Sequence, residues 1–150
     1  MKKKAPAKKF YTIHEANAAL PLVRAIVSDI VALAAEMRRH YARIEQVRRE
    51  DADVVLDDSD DADEALQALR EGKEKMTSYV RELHRLGIEL KDFHTGLIDF
   101  RSMLDGREVY LCWRHGESDV AYWHELDAGF AGRQKLSRTG MPPALAKGAN

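Results

Sequence analysis

His124 and Glu125 stand side by side in the chain, and Asp99 or His94 can complete a set with them. Imidazole and carboxylate groups of this kind hold iron, zinc or manganese, or pass protons in acid–base catalysis. Their spacing argues against a shared site. In an extended strand neighbouring side chains point to opposite faces, so His124 and Glu125 are expected on different sides of a sheet. A metal site would then need a helical donor such as Glu15 or Glu89, and no spacing links those to it. The sequence therefore assembles no metal set and carries no cofactor signature. Cys112 is the one cysteine in the chain. It has no disulfide partner and no motif joins it to a base, so it reads as a structural thiol in a reducing compartment.

A second group consists of Asp92, Asp99, Arg107, Arg114, Glu117 and Arg133. These residues fit ion pairs fixing strands to loops. They also fit a site for an anionic small molecule, with the arginines as bidentate ligands of carboxylate or phosphate. The run DAGFAGR (127–133) has two glycines but lacks the lysine of a phosphate-binding loop and the spacing of a dinucleotide motif. It is expected to wrap over the core, anchored by Phe130.

Nearly all of these residues lie between 88 and 133, and strands must position them. Residues 97–101, 108–114 and 119–125 are rich in β-branched and aromatic types. Asp105-Gly106 marks a two-residue hairpin turn, and Gly116-Glu117 reads as a second one. With both turns tight, one face collects Ile98, Phe100, Val109, Leu111, Trp113, Val120, Tyr122 and His124 and packs on the rest of the domain. The other collects Asp99, Arg101, Tyr110, Cys112, Arg114, Asp119, Ala121, Trp123 and Glu125, with Arg114 opposite Asp119. This mixed face suits an oligomer interface or a ligand, and its candidate binding residues are Asp92, Asp99, Arg107, Arg114, Glu117, Trp123, His124 and Arg133.

The preceding half is helical. Thr12 and Glu15 form a capping box. Apolar residues then recur every three or four positions at Ile13, Ala16, Leu20, Val23, Val27, Ile30, Ala34, Met37, Tyr41 and Ile44, widened by Leu22, Ile26 and Leu33. Pro21 is placed to bend the start of this helix. A second seam runs through Ala65, Leu69, Gly72, Met76, Tyr79, Leu83 and Leu86, with Gly87 as its stop. Zipped antiparallel like a coiled coil, the seams pair Ile44 with Leu69, Tyr41 with Gly72, and Met37 with Met76. The expected architecture is a single α+β domain over 10–136: a long antiparallel helical hairpin (helices about 13–49 and 61–86) packed with a small three-stranded antiparallel sheet over 97–125. A mobile acidic loop (51–60), a disordered basic tail (1–9) and a loose C-terminal tail (137–150) complete the reading.

The chain has 150 residues, with 24 basic and 25 acidic side chains. That balance argues against a dedicated nucleic-acid protein, since such domains carry a basic excess. No apolar run is expected to span a membrane, and the lysine-rich start lacks the apolar stretch of a secretory signal. A cytoplasmic location follows as the expectation.

The runs GLIDF (96–100), DGREVYLCW (105–113) and WHELDAGFAGR (123–133) resemble those of small bacterial proteins catalogued as domain of unknown function 2203. The likeness covers roughly 10–136. The family commonly has proline where this chain has Arg101, and His94 and His115 are peculiar to this sequence. The resemblance implies the fold and carries over no activity. The function expected from the residues is a small cytoplasmic binding or assembly module without its own catalysis, forming a homo-oligomer or holding an anionic small molecule. The alternative is a metal-dependent or acid–base enzyme using Asp99, His124 and Glu125.

Overall fold

A computed structural model describes residues 9–50 and 60–137. Of the expected tails (1–9 and 137–150) and acidic loop (51–60), all but residues 9, 60 and 137 lie outside the described residues, and Asp60 belongs to a helix. Helix α1 spans Ile13–Glu50 and helix α2 spans Asp60–Arg85. Five strands follow: β1 Ile88–Asp92, β2 Leu97–Leu104, β3 Arg107–Arg114, β4 Tyr122–His124 and β5 Gln134–Lys135. They form one antiparallel sheet in the order β1-β2-β3-β4-β5. The α+β class holds, and the sheet has five strands rather than three.

The start of α1 is closed by the capping box, in which the Thr12 amide donates to Glu15 Oε1 and the Glu15 amide to Thr12 Oγ1, both at 3.0 Å. Ala16, Leu20, Val23, Ile26, Val27, Ile30, Leu33 and Ala34 are buried, the three-and-four spacing of a single stripe. Leu22 lies off that stripe and is exposed, contrary to its expected place in the widened seam. By length and composition α1 is apolar enough to cross a membrane, which corrects the expectation that no segment is; a helix that supplies much of a core passes the same test.

Met37, not Tyr41, stands at Gly72: a β-carbon on Gly72 would lie 3.0 Å from Met37 Cγ. The helices thus meet about one turn away from the expected register. An unbranched thioether follows bare backbone more readily than a phenol ring, and Tyr41 stays half out in solvent. Tyr11, just before α1, donates its hydroxyl to the Leu86 carbonyl just after α2. It also packs edge-on against Phe100, while its carbonyl accepts from the buried Ser102 hydroxyl at 2.6 Å.

The core joins the α1 stripe and Leu83 to one sheet face, made of Ile88, Ile98, Phe100, Val109, Leu111, Trp113, Val120 and Trp123. At Asp105-Gly106 both residues have positive φ (54° and 73°), as the tight turn requires, and β2 pairs with β3 in the expected register, Asp99 opposite Cys112. The second expected turn does not form as read. Beyond Arg114 the chain leaves the ladder, and Val120 exchanges its backbone hydrogen bonds with Asn17 of α1 (2.7 Å and 3.3 Å). Arg24 of α1 holds Ser118 by its carbonyl at 3.0 Å. Pairing resumes one residue out of phase, with Tyr110 opposite His124 and Leu111 opposite Trp123.

A one-residue slip exchanges the faces of every side chain in a strand. Trp123 therefore belongs to the core, while Tyr122 and His124 face the other way. Arg114 is opposite Leu97 rather than Asp119.

Candidate functional site

The slip in β4 brings His124 to the side of the sheet that carries Asp99 and Cys112. Asp99 and His124 are each 2% exposed, and Cys112 is 1% exposed. His124 Nε2 lies 3.0 Å from Asp99 Oδ1, and His124 Nδ1 lies 2.7 Å from the carbonyl oxygen of Glu125. One donor atom each from Asp99, Cys112 and His124 lies within 4.8 Å of the others. The ring of Tyr110 flanks His124, with centroids 5.4 Å apart, and Tyr122 is the strand partner of Cys112. The Arg133 guanidinium stacks on Tyr122 at 3.8 Å, closing that side.

The electrostatics follow from this burial. Removal from water pushes the Cys112 thiol up to about 12, and the Asp99 charge beside it adds to the effect, so the thiol is protonated at neutral pH. For His124, burial works against the charged ring, but the hydrogen bonds to Asp99 and to the Glu125 carbonyl outweigh it, and its pKa is raised. Tyr110 is also raised, by burial first and then by its interaction with Glu89.

The other candidate residues are dispersed. Asp92 closes the turn between β1 and β2: its carboxylate accepts from the His94 amide and the Thr95 hydroxyl, both at 2.9 Å, and these bonds lower its pKa. Arg107 pairs with Glu125 at 2.6 Å, so the Glu125 side chain is drawn away from His124, as the alternation of strand neighbours leads one to expect. Glu117 accepts from Arg133 through both oxygens (2.9 Å and 2.8 Å) and from the Arg114 amide at 2.7 Å. The Arg114 guanidinium lies over Phe130 at 5.4 Å. Phe130 is 43% exposed and so stacks with arginines instead of anchoring its loop in the core. Arg107 and Arg133 thus hold carboxylates of this chain, the ion-pair arrangement that these residues were read to fit alongside an anionic ligand.

Strand β1 was not anticipated, although I-E-L-K-D alternates with the period of a half-buried strand. It places Glu89 opposite Asp99 on the same face, with Oε2 out of water and without a hydrogen-bond partner among the described residues; Lys91 Nζ is 4.0 Å from it. Asn17 was missed too, because nothing local marks a helical amide that will serve a distant loop.

Two helices, a five-stranded antiparallel sheet and a closed carboxylate–thiol–imidazole cluster on the sheet face away from the helices define the class of protein. The chain belongs to the family described as "Uncharacterized conserved protein (DUF2203)", whose model matches residues 9–136. No curated protein and no solved structure matches it.

Proposed function

We propose that this protein is a small cytoplasmic binding and assembly module without catalysis of its own, self-associating through its helical half. In this reading α1 and α2 form an antiparallel hairpin whose seam continues the coiled-coil pattern toward its open end. One observation carries it: a largely apolar groove of about 450 Å³, lined by Met37, Lys73, Met76, Thr77, Val80 and Phe93. Phe93 projects there from the β1–β2 turn and is 45% exposed. An exposed aromatic beside flexible methionines is the composition of an interface centre. The paired arginines of the sheet weigh against a small anionic ligand as the alternative occupant of this module. Light scattering of the eluted protein at several concentrations is expected to give a dimer or larger species, and Phe93→Ser to weaken association at least about tenfold. A strict monomer at every concentration removes the reading.

A second reading, acid–base chemistry, is favoured by the Asp99–His124 contact, with Cys112 beside it in place of Glu125. It requires that substrate reach a pair that is almost fully enclosed. Its signature is modification of His124 by an imidazole-directed acylating reagent as fast as that of the more accessible His115. Complete protection of His124 in the folded protein sinks it.

A further inference from the structure

We infer that Asp99, Cys112 and His124 form a binding site for one divalent transition-metal ion of the Zn²⁺ class, a site independent of whether the chain self-associates. The argument begins with the two nitrogens of one ring. The Glu125 carbonyl can only accept, so His124 Nδ1 carries a hydrogen and donates it at 2.7 Å. That tautomer turns the lone pair of Nε2 toward Asp99 Oδ1 at 3.0 Å. An imidazole lone pair and a carboxylate oxygen at that distance repel each other unless something positive lies between them. A proton or a metal ion satisfies both. A backbone carbonyl fixing the remote nitrogen is the arrangement that orients metal-ligating histidines.

Cys112 decides between the two. A proton shared by Asp99 and His124 needs no third donor, yet the thiol sulfur sits within 4.8 Å of both groups, at the centre of the sheet face. A tetrahedral ion with bonds of about 2.0–2.3 Å to N, O and S sets neighbouring donors roughly 3.3–3.6 Å apart. The Asp99–His124 contact has to open by only a few tenths of an ångström from 3.0 Å, and the sulfur, within 4.8 Å of both donors, has to close to about 3.5 Å. One imidazole, one thiolate and one carboxylate form a borderline-soft set, which favours zinc over magnesium or calcium. Metal entry expels two protons to solvent, the one on the Cys112 thiol and the one bridging Asp99 and His124 in the metal-free site. Glu89 faces Asp99 from β1 with an oxygen that lacks a hydrogen-bond partner among the described residues, a further carboxylate on the same sheet face.

The three donors come from three strands. Their convergence depends on the register of β4, which the Asn17–Val120 bonds set from α1. A site that closes only in the folded sheet ties β2, β3 and β4 together, so metal should also act as a clasp.

The test uses the full chain, stripped of metal and titrated with Zn²⁺ under native mass spectrometry and with Co²⁺ under absorption spectroscopy. We expect one Zn²⁺ per chain and a tetrahedral Co²⁺ spectrum with a near-ultraviolet thiolate charge-transfer band. Cys112→Ser, nearly the same size, is expected to lose that band and to weaken Zn²⁺ by more than the roughly 10–100-fold typical of losing an outer partner of a metal site. His94→Gln and His115→Gln, which remove more accessible imidazoles, should change neither readout. Failure to retain Zn²⁺, a Co²⁺ spectrum without the thiolate band, or equal affinity in Cys112→Ser overturns the inference and leaves a proton as the bridge. If Asp99 or His124 variants do not fold, the spectrum of the unaltered chain still decides.

Discussion

Asp99→Ala is expected to cost the metal-free protein about 3–5 kcal/mol, because it leaves the buried His124 ring without its partner. For a domain of this size that lowers the melting temperature by roughly 6–20 °C. The geometry explains the size of the effect. Both residues are 2% exposed, so neither side chain can turn to water when the other is removed. Adding His124→Ala to the first substitution should then cost much less than in the parent chain, with a coupling of about 1–3 kcal/mol in the double-mutant cycle. Additive losses would mean that each residue matters only through the space it fills.

The same pair gives the stability a pH dependence whose sign can be worked out. The folded pKa of His124 is raised above its ordinary value of 6.5. Between those two values the folded protein binds more protons than the unfolded one, so stability falls as pH rises. The contribution is complete below about pH 6.5 and disappears as pH passes through the raised folded value. Denaturant midpoints of the metal-free protein measured across that window are expected to decline in the parent and to flatten in Asp99→Ala. A parent curve that rises through the window contradicts the charged pair.

How much of this was legible in the sequence depends on where the information sits. The capping box, the α1 stripe as far as Ala34 and the Asp105-Gly106 hairpin are written in residues within a few positions of one another, and each formed where expected. Strand β1 was equally local, since its alternation is plain, but short charged alternation beside a helix end is easily taken for loop. The position of His124 was different in kind. It turns on one residue of slack between β3 and β4, and that slack is set by Asn17 and Arg24 on a helix about a hundred positions away. No window over the strands contains that term. The error was decisive because strand periodicity is two: one residue of slip moved Trp123 into the core and turned His124 toward Asp99 and Cys112. The ion pair of Glu125 with Arg107 was not legible either, since two strands of sequence separate them. Strand β5, two residues long, has no periodicity to read at all.

The second large effect is expected at Gly96, where Ala should cost about 2–5 kcal/mol. Its φ is +71°, and a β-carbon there would lie 2.6 Å from His115 Cβ, 2.7 Å from Val27 Cγ1 and 2.9 Å from Val31 Cγ2. Two penalties add. The left-handed backbone charges an L side chain about 1–2 kcal/mol, and forcing a methyl into a filled site costs about 1–3 kcal/mol more. None of the three neighbours can yield cheaply. Val27 is fully buried, Val31 packs against the same core, and the His115 amide donates to the Gly96 carbonyl at 2.9 Å, which holds its β-carbon in place. Gly106 supplies the internal comparison, because its φ is +73° but nothing lies within 4 Å of its missing β-carbon. Gly106→Ala should therefore show the backbone penalty alone, and the difference between the two variants measures how tightly the β1–β2 turn is seated on α1. Chemical denaturation of both gives that difference directly. Equal losses would mean that the turn can lift from the helix without consequence. The larger loss at Gly96 is expected because this contact fixes the turn that carries Phe93 toward the helical groove and, through β2, the strand that carries Asp99.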